Sequence, residues 1–594
     1  MPARSEPPIM TVPRTQASSD MSTPSRLPWL ALAMLHGCAG PPAGDDTPRS
    51  ALPLQDDIHH IECRNGVVVS VSVPAADTGL AILKQGGNAV DAAVATAFAL
   101  AVTYPLSGNI GGGGFMLVHP APGDGDPVVI DYRESAPAAA WPTMYTKEES
   151  QYTHRAIATP GTVRGMALAH RRFGSLPWSR LLQPAVALAR DGFLVDEYVA
   201  KSLNGILIDA ADFPEFQRVF GKPGGGTWHA GDVMTQPDLA HTLAVLGDQG
   251  PDTFYSGSIA GAIVAEMSRG NGLITADDLA NYQAIERKPL TTRYLGIYDV
   301  HVPPPPSSGG VVLLAELNML SMFDLQSFGR WSPKTLHVMA EAMRRANHDR
   351  ALHLADPAFA AMPPELITPE YGRRLAGTID LAKATRSEAI AGDLELSRED
   401  ANTTHFSIID RKGMAVGNTY TLERLWGSRI VVKDMGFLLN NDMRAFNLFP
   451  GVTDTKGIIG TAPNTIAPGK RPLSSMTPTI VTKDGRVVLV TGSPGSKGIP
   501  HTILCVLENV FDFGMPLSTA VEMPRLSHEW FPDQITFEAP ELYPAAMVTL
   551  AEMGHTVVRQ GPRPQGDAHT ILVKGPNWYM GVADRRFSGK ASGY

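Results

Sequence analysis

The chain is short of cysteine, of long apolar runs and of clustered positive charge, and each shortage removes a class of protein. Only Cys38, Cys63 and Cys505 occur in 594 residues, which excludes a disulfide framework and any cysteine-spaced metal site. Lys and Arg number 50 against 59 Asp and Glu, a net charge of −9 with the signs interspersed. No basic stripe is left to meet a nucleic acid. No segment is long and apolar enough for a membrane span. Hydrophobic content of 43% with 18% charge fits a globular chain rather than a disordered one. Glycine (57) and proline (49) are plentiful, as in a loop-rich fold. A chain this long needs no staples to be stable.

Residues 1–50 are rich in Pro, Ser and Thr. Within them RLPWLALAMLHGCAG sets Arg26 before an apolar run from Leu27 to Leu35, then Gly37-Cys38. This pattern reads as a secretory signal ending in a lipoprotein box, with Cys38 lipidated and Met21 an alternative start. It predicts an exported protein, periplasmic or lipid-anchored at the cell envelope. The competing reading is a disordered extension with a chance apolar patch.

From about residue 60 the patterning is that of packed elements. Asn88 and Asp91 frame the start of an Ala/Val-rich helix that ends before Pro105. Gly111 to Gly114 precede Phe-Met-Leu-Val, marking backbone packed closely at a strand entrance. No helix follows this run, which argues against a dinucleotide loop. Residues 160–400 read as mainly helical, with Ser332-Pro333 opening one helix and PPPPSSGG forming a stiff turn. After Thr403 the pattern becomes strands: THFSIID and MAVGNTYTL flank DRKG, and TPTIVTK and RVVLVTG flank Asp484-Gly485. HTILVKGPNWYMGVAD reads as another hairpin. The expected architecture is α+β, two face-to-face sheets with helices outside in four αββα layers. Residues 51–402 and 403–594 are expected to fold as one body, because the helical middle alone would leave its apolar faces uncovered.

Thr403 opens a strand directly after Asn402. A threonine hydroxyl needs a base. If the peptide bond before it is cut, the freed α-amino group lies within reach of its own Oγ and titrates at about 8. Thr-Thr-His alone reads as ordinary strand filler, since Thr is common in strands.

The motifs GGNAVDAAVATAFALAVTYP, GNIGGGGFMLVHP, IDYRESAPA, ATPGTVRGM, ARDGFLV, PPPPSSGG, MAEAMRRANHDR, NTTHFSIID, FLLNND, KRPLSSMTPTIV and TGSPGS, in this order, resemble the γ-glutamyltranspeptidase family of N-terminal-nucleophile hydrolases. The resemblance spans nearly all of residues 60–594. It implies cleavage between Asn402 and Thr403 into large (51–402) and small (403–594) subunits, with Thr403 the nucleophile and Thr421 its hydrogen-bonding partner. It implies Arg133, Ser474 and Ser475 as ligands of a substrate α-carboxylate, and the backbone amides of Gly495 and Ser496 as the oxyanion hole. The second of these is normally glycine in the family. It implies γ-glutamyl transfer from glutathione or related amides to water, an amino acid or a peptide, with no metal or cofactor.

One pocket departs from the family pattern. In NNDMRAF, Arg444 and Ala445 replace two expected aspartates, the second of which would hold the α-ammonium. Glu423 stands where many bacterial members carry asparagine. Either Glu423 and Asp442 together supply the missing charge, or the pocket favours glutaryl-type acyl groups, as in the related cephalosporin-acylase branch. Residues 449–460 (FPGVTDTKGIIG) are expected to form the lid.

Overall fold

Val67–Ser70, Gly113–His119, Thr403–Ile409 and Ala415–Thr421 are buried at every position. A strand apolar on both faces must be covered on both sides. Alternate residues therefore enter two different cores. Val68, Met116, Val118, Phe406 and Ile408 pack with the helix Ala89–Thr103. Val67, Val69, Phe115, Leu117 and Ile409 face the opposite way, toward Val300, Ile480, Leu489 and Ile571. The computed structural model describes residues 57–391, 403–456 and 460–594.

The first seven-stranded sheet runs Lys590–Gly593, Val67–Ser70, Thr403–Ile409, Ala415–Thr421, Gly113–His119, Val128–Asp131, Ile285–Arg287. The second runs His60–Cys63, Trp578–Ala583, His569–Gly575, Arg486–Thr491, Thr479–Lys483, Tyr298–Val302, Leu290–Tyr294. Helices Ser308–Leu320, Pro333–His353 and Ile499–Phe511 cover the second sheet's outer side. The four layers are helix, sheet, sheet, helix.

Local chemistry sets the boundaries. The Asn88 side chain accepts from Val90 and Asp91 N–H, and Asp91 answers in a capping box. Ser332 caps Pro333–His353 by accepting from Thr335 N–H. Asp484 and Gly485 both take positive φ (51° and 71°), as a two-residue hairpin turn requires. The middle of the chain is less purely helical than expected. Ile285–Arg287 closes the edge of one sheet, and Leu290–Tyr294 with Tyr298–Val302 closes the edge of the other. These strands are half exposed and rich in Arg, Thr and Tyr, so their apolar pattern is weak.

Candidate functional site

Thr403 is the first residue of its strand and Thr421 the last of the next, and the antiparallel register sets them directly opposite. The intervening turn fixes that register. Asp410 Oδ1 accepts from Lys412 and Met414 N–H (2.8 and 3.2 Å), and Gly413 takes φ +85°. Thr421 Oγ1 accepts from Glu423 N–H at 2.8 Å. Its carbonyl accepts from Asn109 Nδ2 at 2.9 Å.

The glycine run makes this possible by close approach. A Cβ at Gly112 would lie 2.0 Å from the Thr421 carbonyl, one at Gly114 2.4 Å from that of Thr419, and one at Gly111 2.2 Å from that of Leu438. No side chain fits there. Asn440 ties the same run to the next loop. It donates to Gly111 and Ala158 carbonyls and accepts from Ala158 and Asp442 N–H.

His405 shares a face with Thr403 but is no base for it. Its ring nitrogens contact Thr419 Oγ1 (2.8 Å) and Ser407 Oγ (3.0 Å), and burial pushes it well below its usual range. It packs under Gly492, where a Cβ would lie 2.3 Å from the ring. The strand that starts with Thr403 thus supports the loop carrying Gly495 and Ser496.

Gly495 has φ +133° and Ser496 φ +57°, just before the helix Ile499–Phe511. Ser496 therefore occupies the left-handed region that favours glycine.

Arg133 is fully buried just beyond Val128–Asp131. Its Nε donates to the Pro472 carbonyl at 3.1 Å, which fastens it to the segment carrying Ser474. Three carboxyls surround its guanidinium: Glu134 at 2.8 Å, Asp442 at 2.5 Å and Glu423 at 3.7 Å. Burial opposes the Arg133 charge, but Asp442, Glu134 and Glu423 outweigh it and hold the proton more firmly than usual. Burial first, then the Asp442 charge, pushes Glu134 well above the ordinary carboxyl range. Asp442 is fully buried and its carboxylate meets the Arg133 guanidinium directly.

Arg444 turns elsewhere. Its guanidinium lies 4.6 Å from the Tyr145 ring centroid and contacts the Glu149 carbonyl at 3.4 Å. Ala445 is buried and contributes its carbonyl to Asn464 Nδ2.

Ser474 pairs with Ser307, in the turn that precedes Ser308–Leu320. Its N–H donates to Pro306 O (2.8 Å), and its carbonyl accepts from Ser308 N–H and Oγ (2.6 and 2.8 Å). Ser474 Oγ accepts from Met476 N–H at 3.2 Å; Ser475 is half-buried. In the segment expected to form the lid, Gly451 N–H donates to the Gly460 carbonyl at 2.8 Å, and residues 457–459 lie outside the described residues. Asn402 and Cys38 lie outside them too.

Sequence reasoning missed Glu134, Asn109 and Asn440. Only Glu134 carried a signal, its adjacency to Arg133. Among the described residues, His337, Glu341 and His555 lie close enough to hold a metal ion. All of their candidate ligand atoms except His555 Nδ1 are already engaged. His337 Nε2 donates to the Asp380 carbonyl, so His337 Nδ1 accepts from His555 Nε2 at 2.7 Å. Glu341 bonds Arg344, Arg345 and Thr385.

The family model described as Gamma-glutamyltranspeptidase matches residues 75–594. Over 564 residues the chain is 39% identical to a glutathione hydrolase proenzyme of Escherichia coli (strain K12), covering 93% of this chain and 96% of that protein. It is 42% identical to a glutathione hydrolase proenzyme of Pseudomonas aeruginosa, covering 86% and 91%. A crystal structure of cephalosporin acylase from Bacillus halodurans superposes with a TM-score of 0.80 at 25% identity, over 92% of this chain and 98% of that one. On these matches, the chain belongs to the γ-glutamyltranspeptidase family.

Proposed function

We propose that the protein is a γ-glutamyltransferase and glutathione hydrolase that cleaves itself between Asn402 and Thr403. In the first half-reaction, the freed α-amino group of Thr403 takes the proton of its own Oγ, and Oγ attacks the γ-carbonyl carbon. The oxyanion faces the N–H groups of Gly495 and Ser496. The C–N bond breaks, the proton passes to the departing amine, and the γ-glutamyl group remains on Thr403. Water or an acceptor amine then attacks that ester by the same route. Thr421 positions the nucleophile from across the strand pair. The relatives' name "proenzyme" supports the cleavage step.

The observation that carries the acyl assignment is the carboxyl cluster around Arg133. One buried guanidinium faces three carboxyl groups, Glu134, Asp442 and Glu423, so the cluster holds more acid than Arg133 alone offsets. This arrangement favours an incoming α-ammonium. The α-carboxylate of the substrate goes to Arg133 and to Ser474 with Ser475. A glutaryl group brings only a carboxylate and would leave the acidic side uncompensated in a buried site, a cost of several kcal/mol. Relocated charge thus does the work of the aspartate absent at Ala445. Hydrolysis of γ-glutamyl and glutaryl p-nitroanilides side by side tests this. Faster turnover of the γ-glutamyl compound is the expected result, and a glutaryl preference reverses the assignment.

The leader supports export, with Cys38 as a lipid attachment point at the cell envelope. Fractionation of cells making the full chain, with labelled fatty acid, tests this reading.

A further inference from the structure

One cavity is lined by the helix Glu197–Asp209 and by two further stretches of chain, and those two stretches run back to catalytic elements. One stretch is residues 424–429, which continue directly from Glu423. Arg424 is three residues from Thr421, at most about 11 Å of chain. The other stretch is residues 562–564. Two residues further on, the Gly566 Cα lies 3.4 Å from where a Cβ on Gly495 would sit. The cavity holds about 420 Å³, within the size range of small-molecule sites.

Its lining is mostly positive. Lys201, Arg424, Arg429 and Arg563 face a single carboxylate, Asp209, among the described residues. Arg429 is held rigidly. Its guanidinium lies 3.6 Å from the Tyr152 ring centroid, and Nη1 donates to the Asp209 carbonyl at 2.5 Å. Its buried Nε has no acceptor among the described residues. Tyr198 and Phe587, edge to face at 4.7 Å, supply an apolar wall. A preorganised guanidinium beside aromatic faces suits a carboxylate on a short peptide or aromatic amine.

We propose that this cavity, between residues 424–429 and 562–564, is an amine-side subsite that recognises a carboxylate on the leaving amine and, equally, on the acceptor amine. The proposal rests on the acyl-transfer reading above. The two amines share one site because each bonds the same carbonyl carbon, one before and one after the acyl-enzyme.

The test compares leaving groups that differ by one carboxylate. Turnover of γ-glutamyl 3-carboxy-4-nitroanilide and γ-glutamyl p-nitroanilide is measured for the wild-type protein, Arg563→Gln and Arg429→Gln. The readout is the ratio of the two kcat/KM values, because a general folding or catalytic defect moves both alike. Arg563 is exposed at the rim, so its variant keeps the test open if Arg429→Gln fails to fold. The wild type should prefer the carboxylated anilide, with the ratio falling about fivefold or more in the variants. The acceptor arm compares a dipeptide with its C-terminal amide, and the same loss of preference is expected. Glutaryl versions of both anilides run in parallel. Turnover of those alone would count against the acyl assignment. A ratio unchanged by the arginine substitutions, on whichever acyl group is turned over, would overturn the subsite.

Discussion

Asp442 Oδ1 lies 2.5 Å from Arg133 Nη1 in a fully buried pair, two and three residues upstream of the arginine and alanine that replace the family's aspartates. In the proposed function this carboxylate supplies the missing acidic group from the same short turn, Asp442–Ala445, which Asn440 fixes through Asp442 N–H.

Asp442→Asn removes that charge with little change of shape. An interaction with a charged group contributes about 1.5–3 kcal/mol, and about 1.4 kcal/mol is tenfold in affinity. KM for γ-glutamyl p-nitroanilide should rise at least about tenfold, while glutaryl turnover stays level or improves. An equal loss on both substrates would show that Asp442 merely supports Arg133.

Ser496→Gly relieves a side chain held at φ +57°. Left-handed backbone costs a non-glycine residue about 1–2 kcal/mol, partly offset by the greater freedom of glycine in the unfolded chain. A gain of up to about 1 kcal/mol in unfolding free energy is expected from denaturant titration. Because the N–H remains, kcat should stay within a few fold.

Glu508 ties stability to pH. Its carboxyl is fully buried, and burial pushes it up to about 8 although Arg330 pulls the other way. The unfolded chain releases that proton near the ordinary value of 4.5. Between these values the native state holds more protons, so this group makes stability fall as pH rises. The buried histidines His301 and His528, depressed to about 4 by burial first, act in the opposite sense, but only below their ordinary 6.5. Above pH 6.5 the Glu508 effect is no longer masked by them. Glu508→Gln should therefore flatten the loss from pH 6.5 to 8 by on the order of 1–2 kcal/mol, read from urea unfolding at each pH.

The strongest local signals in the sequence were legible because their causes are local. Asp484-Gly485 demands a hairpin, and Asn88 with Asp91 demands a helix start; both stand as read. The edge strands between residues 285 and 302 were not legible, because one exposed side dilutes their apolar period. At the site, Thr403 and Arg133 could be named from sequence. That Glu423 and Asp442 join Glu134 around one guanidinium could not, since both lie far along the chain from Arg133 and reach it only through the fold. The same holds for Asn109, which reaches the Thr421 carbonyl from 312 residues away.

The proposed chemistry requires the bond before Thr403 to be cut. Mass spectrometry and N-terminal sequencing of the purified active protein test it directly, with Thr403→Ala as control. Two chains are predicted, the smaller covering residues 403–594 and beginning with Thr403, whereas the alanine variant stays whole and inactive. A single uncut polypeptide that still hydrolyses γ-glutamyl amides would contradict it.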